Sequence, residues 1–546
     1  MNLFAQIAVT ATLGSVALVG YAQTGDVFSP QQRNLWLQKA AAAMSVMQET
    51  VKYPVRKVAI VSDTAAYQGW KAVEAGAAAA FFDTSLKTQS GTVLDFGEHL
   101  TGYFSCTFAL TTTSVSDAPV RLKLTFAETP AELAIPFDPY PGGLSRAWLQ
   151  DETVTVDYIP SSFSLSRRVS FRYLKIEVLG SSSFDFRISE MNIRAQTSAV
   201  GEPEPLPAAT PPLIKDIDRI GVATLRECMQ TVYEDGPKRD RRLWLGDLYL
   251  EALANACSFK NHTLTKRCLY LLAAVAAPDG LLHACAFDIP DIHPQTGTQI
   301  LDYALLFNTA LLDYLKNTGD RETALDLWPV ALQQTEVAKT FIGDTFMYNG
   351  KPIWIFFDWR SGFDTKAAIQ GCFVKTFKDA CELAQLLGRQ KDVATLPAFT
   401  AKLAGAARKN MFDAKRGVFV SGPDRQISYL SQAWMTLGGV LSKKEAQKAL
   451  KTVLSMPEAV YPGTPYGTHF FIEALIACGL HTEAREYLLQ YWGGMVHKGA
   501  DTFWEVYDPD NDLLSPYNFA PINSYCHAWA CTPVYFIRNY PEIFAK

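Results

Sequence analysis

Residues 217–259 read IDRIGVATLRECMQTVYEDGPKRDRRLWLGDLYLEALANACSF, and their pattern sets how the rest of the chain is understood. Two apolar stretches with helical periodicity, 217–233 and 243–259, flank a short run of charge. That run, 235–247, holds Asp235, Asp240, Asp247, four basic residues and Trp244 within 13 positions. On spacing alone it reads equally as a solvated loop laced with ion pairs or as a site. Several of the helical segments are apolar nearly all round, the character of helices buried in an inner layer.

Outward toward the C-terminus the helical pattern continues. Helices are expected at 264–276, 299–318, 322–342, 365–387, 395–411, 443–456, 469–480, 482–495 and 524–540. No fixed-period repeat marks a solenoid. So many helices, joined pairwise over residues 214–546, suit a closed barrel of helical hairpins.

Toward the N-terminus the pattern changes twice. Residues 198–213, SAVGEPEPLPAATPPL with five prolines, continue neither helix nor sheet and read as a linker. Over 54–197 the segments are short, alternating and rich in β-branched and aromatic residues, separated by Ser, Gly, Asp and Pro clusters. That is the signature of an antiparallel β-sandwich. The fold class is therefore a multidomain α + β chain, a β-sandwich followed by a helical barrel. Residues 24–53 are expected as a separate helical segment, with one helix over 30–50 (PQQRNLWLQKAAAAMSVMQET).

Residues 3–22, LFAQIAVTATLGSVALVGYA, are apolar, small-residue-rich and uncharged. They read as a secretory signal over 1–22, cut near Ala22 or Gln23, and the chain is expected in the periplasm or outside the cell. At ~20 residues the run is also long enough to anchor in a bilayer; its small-residue end favours cleavage.

Composition narrows the function classes. Lys plus Arg is 50 and Asp plus Glu is 55, a net charge of −5. That is no electrostatic footprint for nucleic acid or an anionic membrane. The ten cysteines form no C-x-x-C pair, and the eight histidines show no paired spacing for a metal. No phosphate-binding glycine loop occurs, so no cofactor and no metal is implied. Nothing in the sequence sets an oligomeric state. Aromatic residues at 12% allow both large cores and ring platforms for sugars.

Two further clusters stand out. One is Asp501-Thr-Phe-Trp504-Glu505, followed by a long Asn/Asp/Pro/Tyr loop and then Ser524-Tyr-Cys-His527-Ala-Trp529. The other is Trp354-Ile-Phe-Phe-Asp358-Trp359-Arg360. Each has a bland reading too, as a buried capping acid, a satisfied core histidine or a packed segment with one ion pair. In a helical barrel the loops at one rim converge on one pocket. Two carboxyl groups from two loops are the minimal equipment for glycoside hydrolysis, one as acid and one as base or nucleophile.

DGPKRDRRLWLGD (235–247), FFDW (356–359), TFWE (502–505) with SYCHAW (524–529), and TVLDFGEHLTGYF (92–104) together resemble the bacterial and fungal α-L-rhamnosidases, six-hairpin glycosidases. The resemblance spans roughly residues 90–540. It implies an (α/α)6 barrel, removal of terminal α-L-rhamnose from plant-type glycans or glycosides, and inversion of configuration. It implies Asp240 as general acid, where the family most often has Glu, and Glu505 as general base. It places Asp235, Arg239 and Asp247 around the sugar, and adds Trp244, Asp358, Trp359, Trp504 and His527 as pocket residues. Another six-hairpin glycan-cleaving enzyme, such as a uronate-directed lyase, and a non-catalytic carbohydrate-binding relative are the alternatives.

Overall fold

The computed structural model describes residues 25–87, 91–111 and 115–545, and the expected signal over 1–22 lies outside them. Nine strands form the N-terminal sheet: β1 (Gln48–Lys52), β2 (Arg56–Ser62), β3 (Trp70–Ala77), β4 (Thr92–Leu110), β5 (Val120–Ala127), β6 (Asp151–Val156), β7 (Ser161–Ser164), β8 (Val169–Val178) and β9 (Phe186–Thr197). Every pairing among them is antiparallel. β4 carries the architecture. Its first residues pair with β2 and β8, and its later ones with β9 and β7, so one long strand belongs to both layers. The change of partner follows a register shift between Asp95 and Leu100. Gly97 sits at that shift with φ 87, a left-handed backbone conformation that L side chains rarely adopt. Alternating residues such as Leu94, Phe104, Phe108, Leu122, Phe126, Phe171, Leu174 and Ile188 fill the interior between the layers.

The expected helix over 30–50 stops at Ala42. Residues 48–52, QETVK, pair instead with β9 from Lys52↔Ile193 to Gln48↔Thr197. Residues 24–53 are therefore not a helical unit of their own. The Pro30–Ala42 helix packs on the barrel helix His262–Ala274, with Arg33 donating to the carbonyls of Ala274 and Ala276 at 2.9 and 2.7 Å. Local helix propensity ends where an open sheet edge offers β-branched Thr50 and Val51 a ladder of hydrogen bonds.

Beyond the proline-rich connection, twelve helices among the described residues form six hairpins. The inner ring comprises Leu245–Cys257, Leu301–Thr318, Lys366–Leu387, Tyr429–Leu437, Pro465–Cys478 and Pro533–Asn539. Each packs on the next, and the Ala528–Cys531 turn completes the ring. The outer helices are Pro212–Cys228, His262–Ala274, Arg321–Lys339, Leu396–Met411, Lys443–Leu454 and His481–His497. Tyr429–Leu437 was not expected. At nine residues it is short, and its start is set by Ser428, whose side chain accepts the Ser431 N–H. The segment expected as one helix over 524–540 is extended through His527, and its α-helix begins at Pro533. A short 3-10 turn over Ala528–Cys531 precedes it, and proline suits the first helical position. The ten cysteines are unpaired thiols, most of them buried. Among the described residues no helix is long and apolar enough to cross a membrane.

Candidate active site

The loops that lead into the inner helices gather at one end of the barrel around a pocket with about 360 Å³ of empty space. Its walls hold Asp235, Arg239, Asp240, Trp244, Asp247, Trp359, Glu505 and His527, which come from four separate stretches of the chain.

The first loop is closed by Asp235. Its carboxyl oxygens accept the backbone N–H groups of Asp240 at 3.2 Å and Arg242 at 3.0 Å, folding residues 235–242 back on themselves. Gly236 is required there by close approach, because a Cβ would sit 2.4 Å from both the Arg239 carbonyl and Ser524 Oγ. Burial and the neighbouring Asp240 carboxylate push the Asp235 carboxyl up to about 8.

Arg239 lies between the two candidate catalytic acids. Nη1 is 3.2 Å from Asp240 Oδ1, Nη2 donates to Glu505 Oε2, and Nε donates to the Ile522 carbonyl at 3.1 Å. The guanidinium also covers the Tyr517 ring, 4.5 Å from its centroid. A second cation, Arg242, reaches Asp240 Oδ2 at 3.4 Å. The Asp240 side chain is 14% exposed, against 2% for Glu505, so Asp240 stands nearer the mouth.

Glu505 is held from all sides. Oε2 also accepts the Ser524 N–H at 3.0 Å, Oε1 accepts the Tyr517 hydroxyl, and its backbone carbonyl accepts Trp529 Nε1 at 2.9 Å. Burial alone would raise this carboxyl. Arg239, His527, Tyr517 and the Ser524 N–H outweigh burial and hold it at about 2. Glu505 is thus an anion throughout the ordinary pH range.

Asp247, in the first turn of the Leu245–Cys257 helix, stands 3.3 Å from His527 Nε2. Burial pushes Asp247 up against the pull of His527. Burial pulls His527 down, but Asp247, Glu505 and Asp235 outweigh it and raise the imidazole above its ordinary value. Beyond the Asp247–His527 contact, His527 Nδ1 and Trp359 Nε1 are buried without a hydrogen-bond partner. Buried polar atoms are rarely left so, and these two on residues of the pocket wall suit a ligand that carries hydroxyl groups.

Around these polar groups stand aromatic faces. Phe356 stacks on Trp529 at 5.7 Å, and Tyr303, Trp359 and Tyr517 complete the wall. Trp354 is 42% exposed at the rim.

Two expected pocket residues are elsewhere. Asp358 turns away from the pocket. It accepts the N–H groups of Gly463 at 2.9 Å, Thr464 at 3.1 Å and Arg360 at 2.7 Å, and the Thr464 hydroxyl at 2.5 Å. It thereby shapes the start of the Pro465–Cys478 helix. Trp504 stacks on Tyr67 of the N-terminal domain at 3.8 Å, on the side of the chain away from Glu505. Conversely, Tyr303, Tyr517 and Ile300 line the site without having been singled out. Trp354, Phe356 and Trp529 stood inside the quoted clusters without an assigned role. Aromatic density in 354–359 was their one local signal.

Residues 54–195 match the glycosyl hydrolase family 78 alpha-rhamnosidase N-terminal domain, and residues 209–540 match the bacterial alpha-L-rhamnosidase six-hairpin glycosidase domain. No curated protein matches the chain. Among solved structures, a rhamnosidase from Klebsiella oxytoca with rhamnose bound is 39% identical, with 93% of this chain and 99% of that one covered and a TM-score of 0.90. A family 78 rhamnosidase of Bacillus sp. GL1 is 22% identical over 86% of this chain and 49% of that one, with a TM-score of 0.71. A Streptomyces avermitilis α-L-rhamnosidase complexed with L-rhamnose is 17% identical over 91% and 44%, with a TM-score of 0.64. The last two share the fold.

Proposed function

The chain belongs to glycosyl hydrolase family 78 as an α-L-rhamnosidase, and from that premise we propose that it removes terminal α-linked L-rhamnose from plant-type glycans or glycosides by an inverting two-carboxylate mechanism. The observation that carries the reading is the pairing of Glu505, held ionised at about 2, with Asp240 at the pocket mouth, each in contact with a different nitrogen of Arg239. Asp240 gives its proton to the glycosidic oxygen as the bond from that oxygen to the anomeric carbon breaks. Glu505 takes a proton from a water whose oxygen attacks the anomeric carbon from the opposite face. The leaving alcohol and free L-rhamnose depart. Asp240 is left as the carboxylate and Glu505 as the acid, and solvent resets both.

Asp235 is pushed up to about 8 and so bears a proton near neutral pH, but both its oxygens are engaged by backbone N–H groups. It shapes the loop and does not deliver the proton. His527 Nδ1 and Trp359 Nε1 are offered to sugar hydroxyls, with Asp247 holding the imidazole through Nε2, and the rings of Phe356 and Trp529 face the sugar's apolar side.

The aglycone reading rests on Trp354. An indole 42% exposed at the rim presents a flat apolar face to whatever leaves. A ring contact is worth about 0.5–1.5 kcal/mol beyond its area. Trp354→Ala is therefore expected to raise KM for aryl and flavonoid-type α-L-rhamnosides by about threefold to tenfold, with the inhibition constant of free L-rhamnose held within about twofold. Equal weakening of free rhamnose would place Trp354 in the sugar pocket instead. The proposal includes export, on residues 3–22 alone; N-terminal sequencing of the mature protein should then start near Gln23.

A further inference from the structure

The two stretches that carry Asp240 and Glu505 meet the N-terminal domain at one buried carboxylate. Glu128 follows β5 directly and is 2% exposed. Its Oε2 accepts the Tyr525 N–H at 2.7 Å and lies 2.9 Å from Lys238 Nζ, while Oε1 is 3.0 Å from His99 Nε2. Lys238 stands two residues before Asp240. Tyr525 follows Ser524, whose N–H donates to Glu505 and whose carbonyl accepts the Glu505 N–H at 2.9 Å. One oxygen of the N-terminal domain thus touches both the acid's loop and the base's loop.

The neighbouring groups reinforce this tie. Lys238 has a second carboxylate, Glu132 Oε1, at 2.8 Å. The other oxygen of Glu132 accepts the N–H groups of Glu128 and Thr129, each at 2.8 Å, and so fixes the backbone that bears Glu128. On the far side of Asp240, Arg241 donates to the carbonyl of Arg168 at 2.7 Å, and Arg168 pairs with Glu234 at 2.5 Å. The acid's loop is pinned to the sheet domain before and after Asp240. A generic interface between domains needs no such convergence of buried charge on a single loop.

We infer that Glu128 is a positioning residue that sets Asp240 relative to Glu505, by binding Lys238 and the Tyr525 N–H through the same carboxylate oxygen. The N-terminal domain is on this account a working part of the active site. The inference rests on the reading of Asp240 and Glu505 as acid and base.

The test uses the full-length enzyme. Glu128→Gln keeps the shape and an acceptor oxygen but removes the charge that holds Lys238. A displacement of about 1 Å at the reacting groups costs on the order of 10²-fold. The expected result is a kcat lower by about 10- to 100-fold, with the inhibition constant for L-rhamnose within about threefold, because the sugar's partners are not attached to Lys238. Glu128→Asp, which keeps the charge on an arm one methylene shorter, is expected to lower kcat as well. Lys238→Met combined with Glu128→Gln should lose no more than the worse single variant, since the two act through one contact. If Glu128→Gln does not fold, Glu128→Asp and Lys238→Met are read by the same criteria. Wild-type kcat in the folded variants overturns the inference, as does rhamnose affinity falling in step with kcat, or additive losses. Glu505→Gln measured alongside separates the two levels: if it stays active, the acid–base reading itself has failed.

Discussion

Glu505→Gln is expected to lower kcat for α-L-rhamnoside hydrolysis by about 10²- to 10⁴-fold, the usual contribution of a positioned general base. The amide keeps the volume, and with its oxygen toward the Ser524 N–H its NH2 faces the Tyr517 hydroxyl as a donor, but it cannot take a proton from water. L-Rhamnose binding should persist, because Asp247, His527 and the aromatic wall are untouched. The same carboxylate shapes the pH profile. Held at about 2, Glu505 stays deprotonated through the acid range, so it sets no inflection in kcat/KM between pH 4 and 7. Its folded-state value lies below the unfolded one, near 4.5. It therefore stabilises the fold above that pH, and the contribution is lost as pH falls toward about 2. A Glu505→Gln enzyme within about tenfold of wild type would remove the base from this residue.

Asp240→Asn is expected to show a loss that depends on the leaving group. An aryl alcohol departs without much help, whereas a sugar or alkyl alcohol needs its oxygen protonated as the bond breaks. The loss should approach 10²- to 10⁴-fold for a rhamnosyl disaccharide, and be about tenfold or less for the p-nitrophenyl rhamnoside. A base variant does not discriminate in this way, so comparing the two substrates in the two variants separates the roles. Equal losses on both substrates would mean that Asp240 serves binding and not proton delivery. Asp240 is one methylene shorter than the Glu that the resemblance to the α-L-rhamnosidases implies at this position.

The first loop was legible because its organisation is local. Asp235 grips the N–H groups of Asp240 and Arg242 within seven residues, and the Arg239 side chain lies beside Asp240. Glu505 and His527 were legible as neighbours on either side of one long loop. Trp504 was misplaced because adjacent residues of an extended segment face opposite ways, so Glu505 in the pocket sends Trp504 out toward Tyr67. Asp358 carries the same aromatic flanks whether it points into a pocket or caps a helix. What decides is Gly463 and Thr464, more than a hundred residues away. Glu128 had no local signal at all. Its meaning lies in contacts to Lys238 and, 397 residues distant, to Tyr525. Residues 48–52 read as helix because their strand partner, β9, lies nearly 150 residues downstream. In each case the missed feature depends on a partner remote in sequence, whereas the organisation of the first loop is visible within the loop itself.

In the proposed mechanism Asp240 and Glu505 act from opposite faces of the sugar, on the glycosidic oxygen and on water. Proton NMR of the anomeric region during the first minutes of hydrolysis tests it most directly. β-L-Rhamnose is expected as the first product from an α-L-rhamnoside, with the α anomer appearing only as mutarotation proceeds. α-L-Rhamnose formed first would contradict it, and would make one of the two carboxylates a nucleophile.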